Sequence, residues 1–554
     1  MAASNTPENV RQKIEQELHS ELLPGTELMT EVAGVHLVHA HNAPNAVALV
    51  PQPSFDPSDP LNWSKLWKTI VLANQGLFVL LSIITTLSIA PLTPIYMAEW
   101  NKNQTEVALL TGAAVVALGY ANFIIIPCAD VFGRRPVLLI CCAITLISDI
   151  WQAAAKSYNS FLAARIVSGL GTAANESIMT IVVTDIIFLH ERGRFVGIYF
   201  WCYFVGIMLG PIIAGNVAAH VSWRWFFWAC TISQAVNFAS LIFFFPETRR
   251  TKALSAPPTT LVDTPPIKGD DEKTIRKTDL HAEYQEETGA EVDIIPVNQH
   301  LGRGRPSRTQ LNFFQSIDRS AVSTILHHIV TPIEIFFYPI IFWVSMAVGA
   351  AANSLLCVNL IQSQALAAPP YNFSPANVGF ANFALAVGAI IGLAAAGPFS
   401  DWIAMRATRR NGGIREPEMR LPALIPFIVA AAVGMTVVGV GFQHQWPWEP
   451  VIIVGFALVG VLSVSIPTIT ITYAIDCYKP IAGQIMVTAT VTKNTFGFGM
   501  TYFVNDWAAE HGFVPPLMLL MAMTVGFSLI GMLVSLAYGK TMRRWTRNAK
   551  LHQF

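Results

Sequence analysis

The feature that most constrains the fold of this chain is a series of twelve long apolar segments, six on each side of a polar stretch at 249–330. A helix that crosses a bilayer needs about 20 mostly apolar residues, and each segment has about that length. The pattern predicts an all-α membrane protein with twelve transmembrane helices in two six-helix bundles. The predicted spans, numbered one to twelve, are 69–93, 106–127, 137–155, 161–184, 195–218, 225–246, 332–358, 376–398, 422–442, 451–474, 482–504 and 515–538.

The composition indicates that lipid solvates most of the chain. Of the 554 residues, 53% are hydrophobic and 13% are charged, whereas soluble proteins carry roughly 25% charged residues. Lys plus Arg and Asp plus Glu both number 35, so the net charge gives no sign of an acidic partner. We expect the bilayer as a partner and no nucleic acid.

The basic residues predict the orientation, because Lys and Arg accumulate in cytoplasmic segments. With both termini placed in the cytoplasm, the loops on the other side carry three basic residues, Lys102, Lys156 and Arg224. We therefore expect a partly disordered cytoplasmic tail (1–67), an N-terminal bundle (68–248), a mostly disordered cytoplasmic linker (249–330), a C-terminal bundle (331–540) and a cytoplasmic tail (541–554).

Motifs for enzymatic chemistry are missing from the sequence. The string Gly539-Lys540-Thr541 resembles the end of a phosphate-binding loop, but Val534 stands where the first glycine is required. No histidine lies deep in a span, so neither a histidine metal centre nor a histidine proton relay is predicted. We expect no catalytic residue, metal or cofactor, and we expect that the chain is not an enzyme.

The predicted outside loops carry two N-glycosylation triplets, which begin at Asn103 and Asn372. The seven cysteines fall within spans or at their cytoplasmic ends. We therefore expect glycosylation at the two triplets and no structural disulfide.

A charged turn, PCADVFGRRPVLL, follows span two. An acid and two arginines in a tight turn suit pairing with neighbouring helix ends. The turn resembles the loop signature of the major facilitator superfamily at Asp130, Gly133, Arg134 and Arg135, and it departs at Ile126, where the family has glycine. The resemblance implies a cytoplasmic gate. The alternative is that the arginines only anchor the loop at the cytoplasmic face.

A second copy of the pattern follows span eight, where Gly397 and Asp401 precede a loop with five arginines. Equivalent motifs after spans two and eight imply two six-helix repeats related by an axis along the membrane normal. The resemblance therefore implies the major facilitator fold, with Asp401 in the second half of the cytoplasmic gate.

Span four carries charges at bilayer depth, which are costly there unless they face a partner or a water-filled cavity. The run from Arg165 to Ala173 resembles the fourth-helix motif of the family, and the resemblance implies that Arg165 faces the cavity. At 100° per residue, Glu176 lies about 20° from Arg165, so one face carries both. Asp185 lies on the other face at the helix end, where the resemblance implies pairing with Arg134. The alternative for Glu176 is a packed structural ion pair.

Span five has small residues at helical spacing, at Gly206, Gly210, Pro211 and Gly215. The run resembles a fifth-helix signature of proton-driven antiporters, and glycines four apart permit close approach of a second helix. Span eight offers a matching stripe, and the fold implies that the two stripes slide on each other; its members are Ala384, Gly388, Gly392 and Ala396. The alternative is tight packing with no bearing on transport direction.

A lysine in the middle of span eleven, Lys493, requires a partner or hydration. An anion-binding or proton-coupled role and a salt bridge between helices are both open. Together with Arg165 and Glu176, Lys493 completes the predicted set of cavity and proton-coupling residues.

Three further strings narrow the resemblance. DPLNW at 59–63, FPETR at 245–249 and RGRPSR at 303–308 are similar to strings of fungal twelve-helix proton-coupled multidrug and polyamine transporters. The resemblance implies a secondary active transporter that works by alternating access, as a functional monomer, in the plasma membrane. We expect proton-coupled efflux of a small organic compound, with a cation as one option. The alternatives are proton-coupled uptake, for example of a polyamine, and a sensor of the same fold that transports nothing.

Overall fold

The structure is a computed structural model that describes residues 27–28, 53–54, 56–249, 301–313, 321–411, 414–478 and 481–546. The described part of the N-terminal half is helical, apart from short connections. Its helices are α1 (Lys65–Leu87), α2 (Thr93–Trp100), α3 (Gln104–Phe132), α4 (Arg134–Ala154), α5 (Tyr158–Thr172), α6 (Ala174–Ile186), α7 (Leu189–His220) and α8 (Trp223–Phe244).

The C-terminal half repeats this organisation. Its helices are α9 (Ala321–Phe336), α10 (Pro339–Ala367), α11 (Pro375–Arg410), α12 (Ile425–Gln443), α13 (Ala457–Cys477), α14 (Ala482–His511) and α15 (Val514–Trp545). A π-helical segment, Pro450–Phe456, leads into α13, and a 3-10 segment, Pro417–Leu424, precedes α12. Two short strands, β1 (Glu27–Leu28) and β2 (Ile414–Arg415), pair antiparallel.

Eleven helical stretches in the described part of the chain are long and apolar enough to cross a membrane. The remaining predicted span is α14, which has 30 residues but is more polar. Its polar side chains are covered by neighbouring helices or line a cavity, as Thr488, Lys493 and Asn494 do. The polar residues of α14 thus face inward, and the predicted twelve-helix all-α fold is confirmed.

The outer surface of the bundle is apolar. Large hydrophobic side chains are exposed on outer helix faces, including Ile124 (63%), Ile232 (62%), Val429 (58%) and Ile530 (64%). Polar side chains of the same helices, such as Asn122, are buried inside. Lipid favours this arrangement, because polar groups in hydrocarbon need partners within the protein.

The bundle has two ends, which are named here by the residues they carry. The gate end carries Asp130 and Asp401, at the turns that follow spans two and eight. The opposite end carries Thr105 and Asp506, which bind each other across the two halves.

The two halves meet along two helix pairs, α3 with α14 and α7 with α11. A Cβ added to Gly119 of α3 would lie 2.7 Å from the Cβ of Asn494 on α14. Glycine at this position therefore sets how closely α3 and α14 approach.

The small residues of α7 face two different helices. An added Cβ at Gly206 would lie 3.0 Å from the carbonyl oxygen of Leu80 on α1, so this part of the stripe packs within the N-terminal half. Gly210 also faces the end of α1. An added Cβ at Gly215 would lie 2.5 Å from the carbonyl oxygen of Pro375 on α11. The outer part of the stripe therefore packs against the other half.

The stripe predicted on α11 has a different neighbour from the one expected. A Cβ at Gly379 would lie 2.8 Å from the carbonyl oxygen of Pro211, so α11 does contact α7 near its start. A Cβ at Gly388 would lie 1.8 Å from the carbonyl oxygen of Ala457, and Gly392 likewise faces α13. The prediction that Gly388 and Gly392 slide against α7 is wrong, because these glycines permit close packing inside the C-terminal half.

Part of the predicted linker packs against the segment before span one. The backbone N–H of Gly304 donates to the carbonyl oxygen of Asn62 at 2.9 Å. The side-chain amide of Gln310 donates to the carbonyl oxygen of Ser58 at 3.0 Å. These bonds hold residues 301–313 to the gate end of the N-terminal half. The predicted disorder of the rest of the linker and of the tails lies largely outside the described residues.

Candidate functional site: a cavity between the two halves

A cavity of about 1320 Å³ lies between the two halves. It is larger than the roughly 300–1,000 Å³ of ordinary small-molecule pockets. Most of its wall is apolar, and a few polar side chains from both halves point into it. Those used below are Glu176 and Tyr203 from the N-terminal half, and Asn353, Lys493 and Asn494 from the C-terminal half.

Glu176 of α6 is the acidic residue of this wall, and its side chain is 3% exposed. The carboxylate binds the ammonium group of Lys493 on α14. The hydroxyl of Tyr203 donates to the same carboxylate oxygen at 2.8 Å, and the amide of Asn494 donates to the other oxygen at 3.3 Å. The carboxylate thus has three donors, two of which come from the other half.

Lys493 is fixed in place by groups from both halves. Its ammonium group lies 3.3 Å from the hydroxyl oxygen of Tyr203 and 5.4 Å from the centroid of that ring. The amide of Asn353 on α10 donates to the carbonyl oxygen of Lys493 at 2.9 Å, which anchors the backbone of α14 at this point. A carboxylate and an aromatic ring around one ammonium group form a binding site for a cation.

Span four is interrupted at Ala173, and this break separates two predicted cavity residues. The backbone N–H of Glu176 donates to the carbonyl oxygen of Ala173 at 3.3 Å, three residues back rather than the four of a regular helix. The prediction that Arg165 and Glu176 share the cavity assumed one regular helix. In the structure Glu176 lines the cavity, whereas Arg165 does not.

Arg165 is fully buried inside the N-terminal half. Its guanidinium group donates to the carbonyl oxygens of Thr85 at 3.0 Å and Leu110 at 3.2 Å, and to the side-chain oxygen of Gln152 at 3.2 Å. It also donates to the carbonyl oxygen of Thr86. Arg165 therefore joins α1, α3, α4 and α5, and this position holds the half together.

At the gate end, Arg134 joins the ends of three helices. Its Nε lies 3.0 Å from a carboxylate oxygen of Asp185, at the end of α6. Its Nη1 lies 3.2 Å from Asp130 and donates to the carbonyl oxygen of Ala129 at 3.0 Å, both at the end of α3. The structure thus brings together the acid and arginine that the sequence analysis paired.

Glu247, which follows α8, completes this cluster. Its carboxylate accepts hydrogen bonds from the backbone N–H groups of Arg134 at 2.9 Å and Arg135 at 3.1 Å, at the start of α4. An anion is favourable at a helix N-terminus. Gly133 has φ +105°, and an added Cβ there would lie 2.3 Å from Glu247. The side chain of Arg135 donates to the carbonyl oxygen of Ile242 at 2.8 Å, which ties α4 to α8.

The second copy of the motif forms a cluster in the C-terminal half. Arg420 lies 3.0 Å from Asp401 at the end of α11 and 3.4 Å from Asp476 at the end of α13. The arginine comes from the 3-10 segment before α12, so it plays the part that Arg134 plays in the first half. Each of these two clusters stays within its own half.

The two predicted glycosylation sites are exposed in loops at the opposite end. The side-chain oxygen of Asn103 caps α3 by accepting a hydrogen bond from the backbone N–H of Glu106 at 2.7 Å. Asn372 lies in the loop before α11 and has φ +52°. Glycosylation of either residue stays a prediction.

Sequence reasoning missed Tyr203 and Glu247 as members of these sites. A tyrosine in the middle of apolar span five was the available signal for Tyr203. Glu247 belongs to a string that was noticed only for its resemblance, and its contact with the first turn of α4 needs the fold to be seen.

Two six-helix halves around a polar cavity, with matched charge clusters at one end, define a membrane carrier. The model of the Major Facilitator Superfamily matches residues 76–486, which is more than half of the chain. The chain belongs to this superfamily, and it is an integral multi-pass membrane transporter of small molecules.

Several relatives match almost the full chain. Protein HOL1 of Saccharomyces cerevisiae is 26% identical over 542 residues, which are 91% of each chain. The probable efflux pump mfs2 of Aspergillus flavus is 23% identical over 459 residues, 82% of this chain and 98% of that protein. A solved structure of the xylose transporter XylE from E. coli, in a partially occluded inward open conformation, has a TM-score of 0.55 at 12% identity. It covers 86% of this chain and 98% of that chain, and at this identity it shows the fold alone.

Proposed function

We propose that the protein exchanges protons for a small organic cation by alternating access, in the direction of efflux. The observation that carries the proposal is the carboxylate of Glu176, which binds Lys493 across the cavity between the halves. The ammonium group of Lys493, held by a carboxylate and the ring of Tyr203, occupies the position that the charged group of a cationic substrate would take.

The carboxylate of Glu176 has three mutually exclusive partners in this mechanism. An ionised carboxylate without a partner costs several kcal/mol in surroundings of low dielectric constant. When Lys493 leaves, either a proton or a substrate cation must therefore take its place. Because the proton and the cation neutralise the same group, the binding of one releases the other, and this competition couples the two fluxes.

Movement of the halves breaks the contact with Lys493. Glu176 lies on α6 and Lys493 on α14, so any rocking of one half against the other changes the distance between them. In the described conformer the halves are also joined at the opposite end, where Thr105 binds Asp506. With the predicted orientation, this end faces outward, and the clusters around Arg134 and Arg420 face the cytoplasm.

Two observations favour efflux over uptake. The glycine and proline run of span five resembles the signature of proton-driven antiporters. One relative of nearly full length carries the name of a probable efflux pump. The predicted basic residues at the gate end place the site of proton release in the cytoplasm.

Flux in proteoliposomes under an imposed pH gradient tests this proposal. The probes are labelled spermidine and labelled tetraphenylphosphonium, two organic cations of different size and shape. We expect the gradient to drive at least one of them in the direction opposite to proton flow. Glu176→Gln abolishes this dependence on the gradient while the protein stays folded and inserted.

Glu510→Gln is the matched control, because Glu510 is exposed at the end of α14 and its removal leaves the cavity unchanged. Probe movement in the same direction as the protons would replace exchange by symport. Absence of flux for both probes in either gradient would contradict the proposal and favour a sensor.

A further inference from the structure

A second cavity lies at the gate end of the C-terminal half, apart from the central one. It has a volume of about 700 Å³ and opens between the last two turns of α11 and the 3-10 segment Pro417–Leu424. One face of α11 supplies Ile403, Arg406, Ala407, Arg410 and Asn411, and Met419 closes the other side. The cavity thus combines two guanidinium groups with an apolar floor.

The two arginines of this cavity have no acidic partner in the described part of the chain. The acids nearest in the sequence are bound by other cations. Asp401 pairs with Arg420 at 3.0 Å, Glu416 pairs with Lys540 at 2.6 Å, and Glu418 pairs with Arg543 at 2.8 Å. Arg406 and Arg410 therefore present positive charge to the cavity that no described side chain neutralises.

The position of the cavity relative to the membrane identifies the source of its anion. Trp402 and Met405 of α11 are 56% and 54% exposed on the outer face of the bundle, next to the cavity. The guanidinium group of Arg406 lies 5.6 Å from the ring centroid of Trp402. Exposed tryptophan at the end of a membrane-spanning helix lies at the level of the lipid headgroups. Basic pockets at this level attract anionic headgroups.

We propose that this cavity binds the phosphate of an anionic phospholipid, with Arg406 and Arg410 on the phosphate and the acyl chains along Trp402 and Met405. Guanidinium groups suit a phosphate because they donate two parallel hydrogen bonds to its oxygens. The apolar floor favours a lipid over a free phosphate ion, since it gives no hydrogen bonds and contacts the glycerol and the start of the acyl chains.

Binding of short-chain lipids to the purified full-length protein tests this site. Dioctanoyl phosphatidic acid and dioctanoyl phosphatidylcholine are titrated by calorimetry in detergent, with inorganic phosphate as a third ligand. We expect the double variant Arg406→Gln and Arg410→Gln to lose about twentyfold in affinity for phosphatidic acid, roughly the contribution of two basic residues at a membrane surface. Its weak affinity for phosphatidylcholine stays unchanged.

Arg409→Gln is the matched control, because Arg409 lies on the same turn of α11 but outside the cavity lining. It keeps the wild-type affinity within about twofold. The proposal is overturned if the double variant binds phosphatidic acid as tightly as the wild type, or if Arg409→Gln loses as much. It is also overturned if inorganic phosphate binds as tightly as the lipid, which would make the site a receptor for a soluble anion. Equal melting temperatures of the three proteins without lipid exclude a folding defect.

Discussion

Glu176 and Lys493 belong to different halves of the chain, and their side chains form an ion pair inside the cavity that the halves enclose. The pair is covered on one side by Tyr203 and on the other by Asn494. A contact of this kind stabilises one arrangement of the halves. It also holds a carboxylate in the ionised form until another cation or a proton replaces the lysine.

The first prediction concerns this internal competitor. Lys493→Gln removes the ammonium group that occupies the cation site, so the affinity of Glu176 for an added organic cation rises. We expect about a tenfold decrease in the Kd of a transported probe, the order of a single close charge interaction. Equilibrium binding with purified protein measures the change. An unchanged or weaker affinity would show that Lys493 does not compete with the cation.

The second prediction concerns the cluster at the gate end. Arg134→Ala or Asp130→Asn removes a charge from helix ends that must separate and rejoin during transport. We expect transport to fall about tenfold, while the amount of protein in the membrane stays the same. Lys102→Gln is the control, because its ion pair with Glu106 is exposed at the opposite end. Equal loss of protein and of transport would instead indicate a role in folding.

The third prediction concerns the stability of the C-terminal half. Arg543 of α15 is fully buried, and Glu418 binds it through two hydrogen bonds of 2.9 and 2.8 Å. Glu418→Gln leaves the guanidinium group without its counter-charge, which costs about 3–5 kcal/mol. Glu416→Gln breaks a pair with the exposed Lys540 and costs about 0–1 kcal/mol. Thermal unfolding in detergent should separate the two variants, and equal melting temperatures would contradict the assignment.

The fourth prediction concerns orientation. A cysteine introduced at Asn103, which is exposed at the opposite end, reacts with a membrane-impermeant maleimide added to intact cells. A cysteine introduced at Arg409, exposed at the gate end, reacts only after the membrane is permeabilised. The reverse pattern would invert the predicted topology.

The sequence predicts the fold of this protein well, because the constraint is simple. A bilayer requires about 20 apolar residues for each crossing, and this requirement is visible in the order of residues without knowledge of their contacts. Span eleven was predicted in spite of Lys493 and its polar neighbours. The structure explains why the polarity is tolerated, since those side chains line the cavity or contact neighbouring helices.

The site is less visible in the sequence, because it depends on local departures from regular geometry. The positions of Arg165 and Glu176 on one face follow from a continuous helix, and the interruption at Ala173 places Arg165 among backbone carbonyls instead. The partner of Glu176 is more than 300 residues away on α14. Periodicity within one helix gives no information on such a contact.

The dependence of cation binding on pH is the most direct test of the central claim, that a proton and the substrate compete for Glu176. The apparent Kd of the transported probe is measured across the acid range for the wild type, Glu176→Gln and Glu510→Gln. The account predicts that binding by the wild type and by Glu510→Gln weakens about tenfold for each pH unit once Glu176 becomes protonated. It predicts that Glu176→Gln binds the probe weakly and with no dependence on pH in this range. A pH dependence in Glu176→Gln equal to that of the wild type would contradict the account.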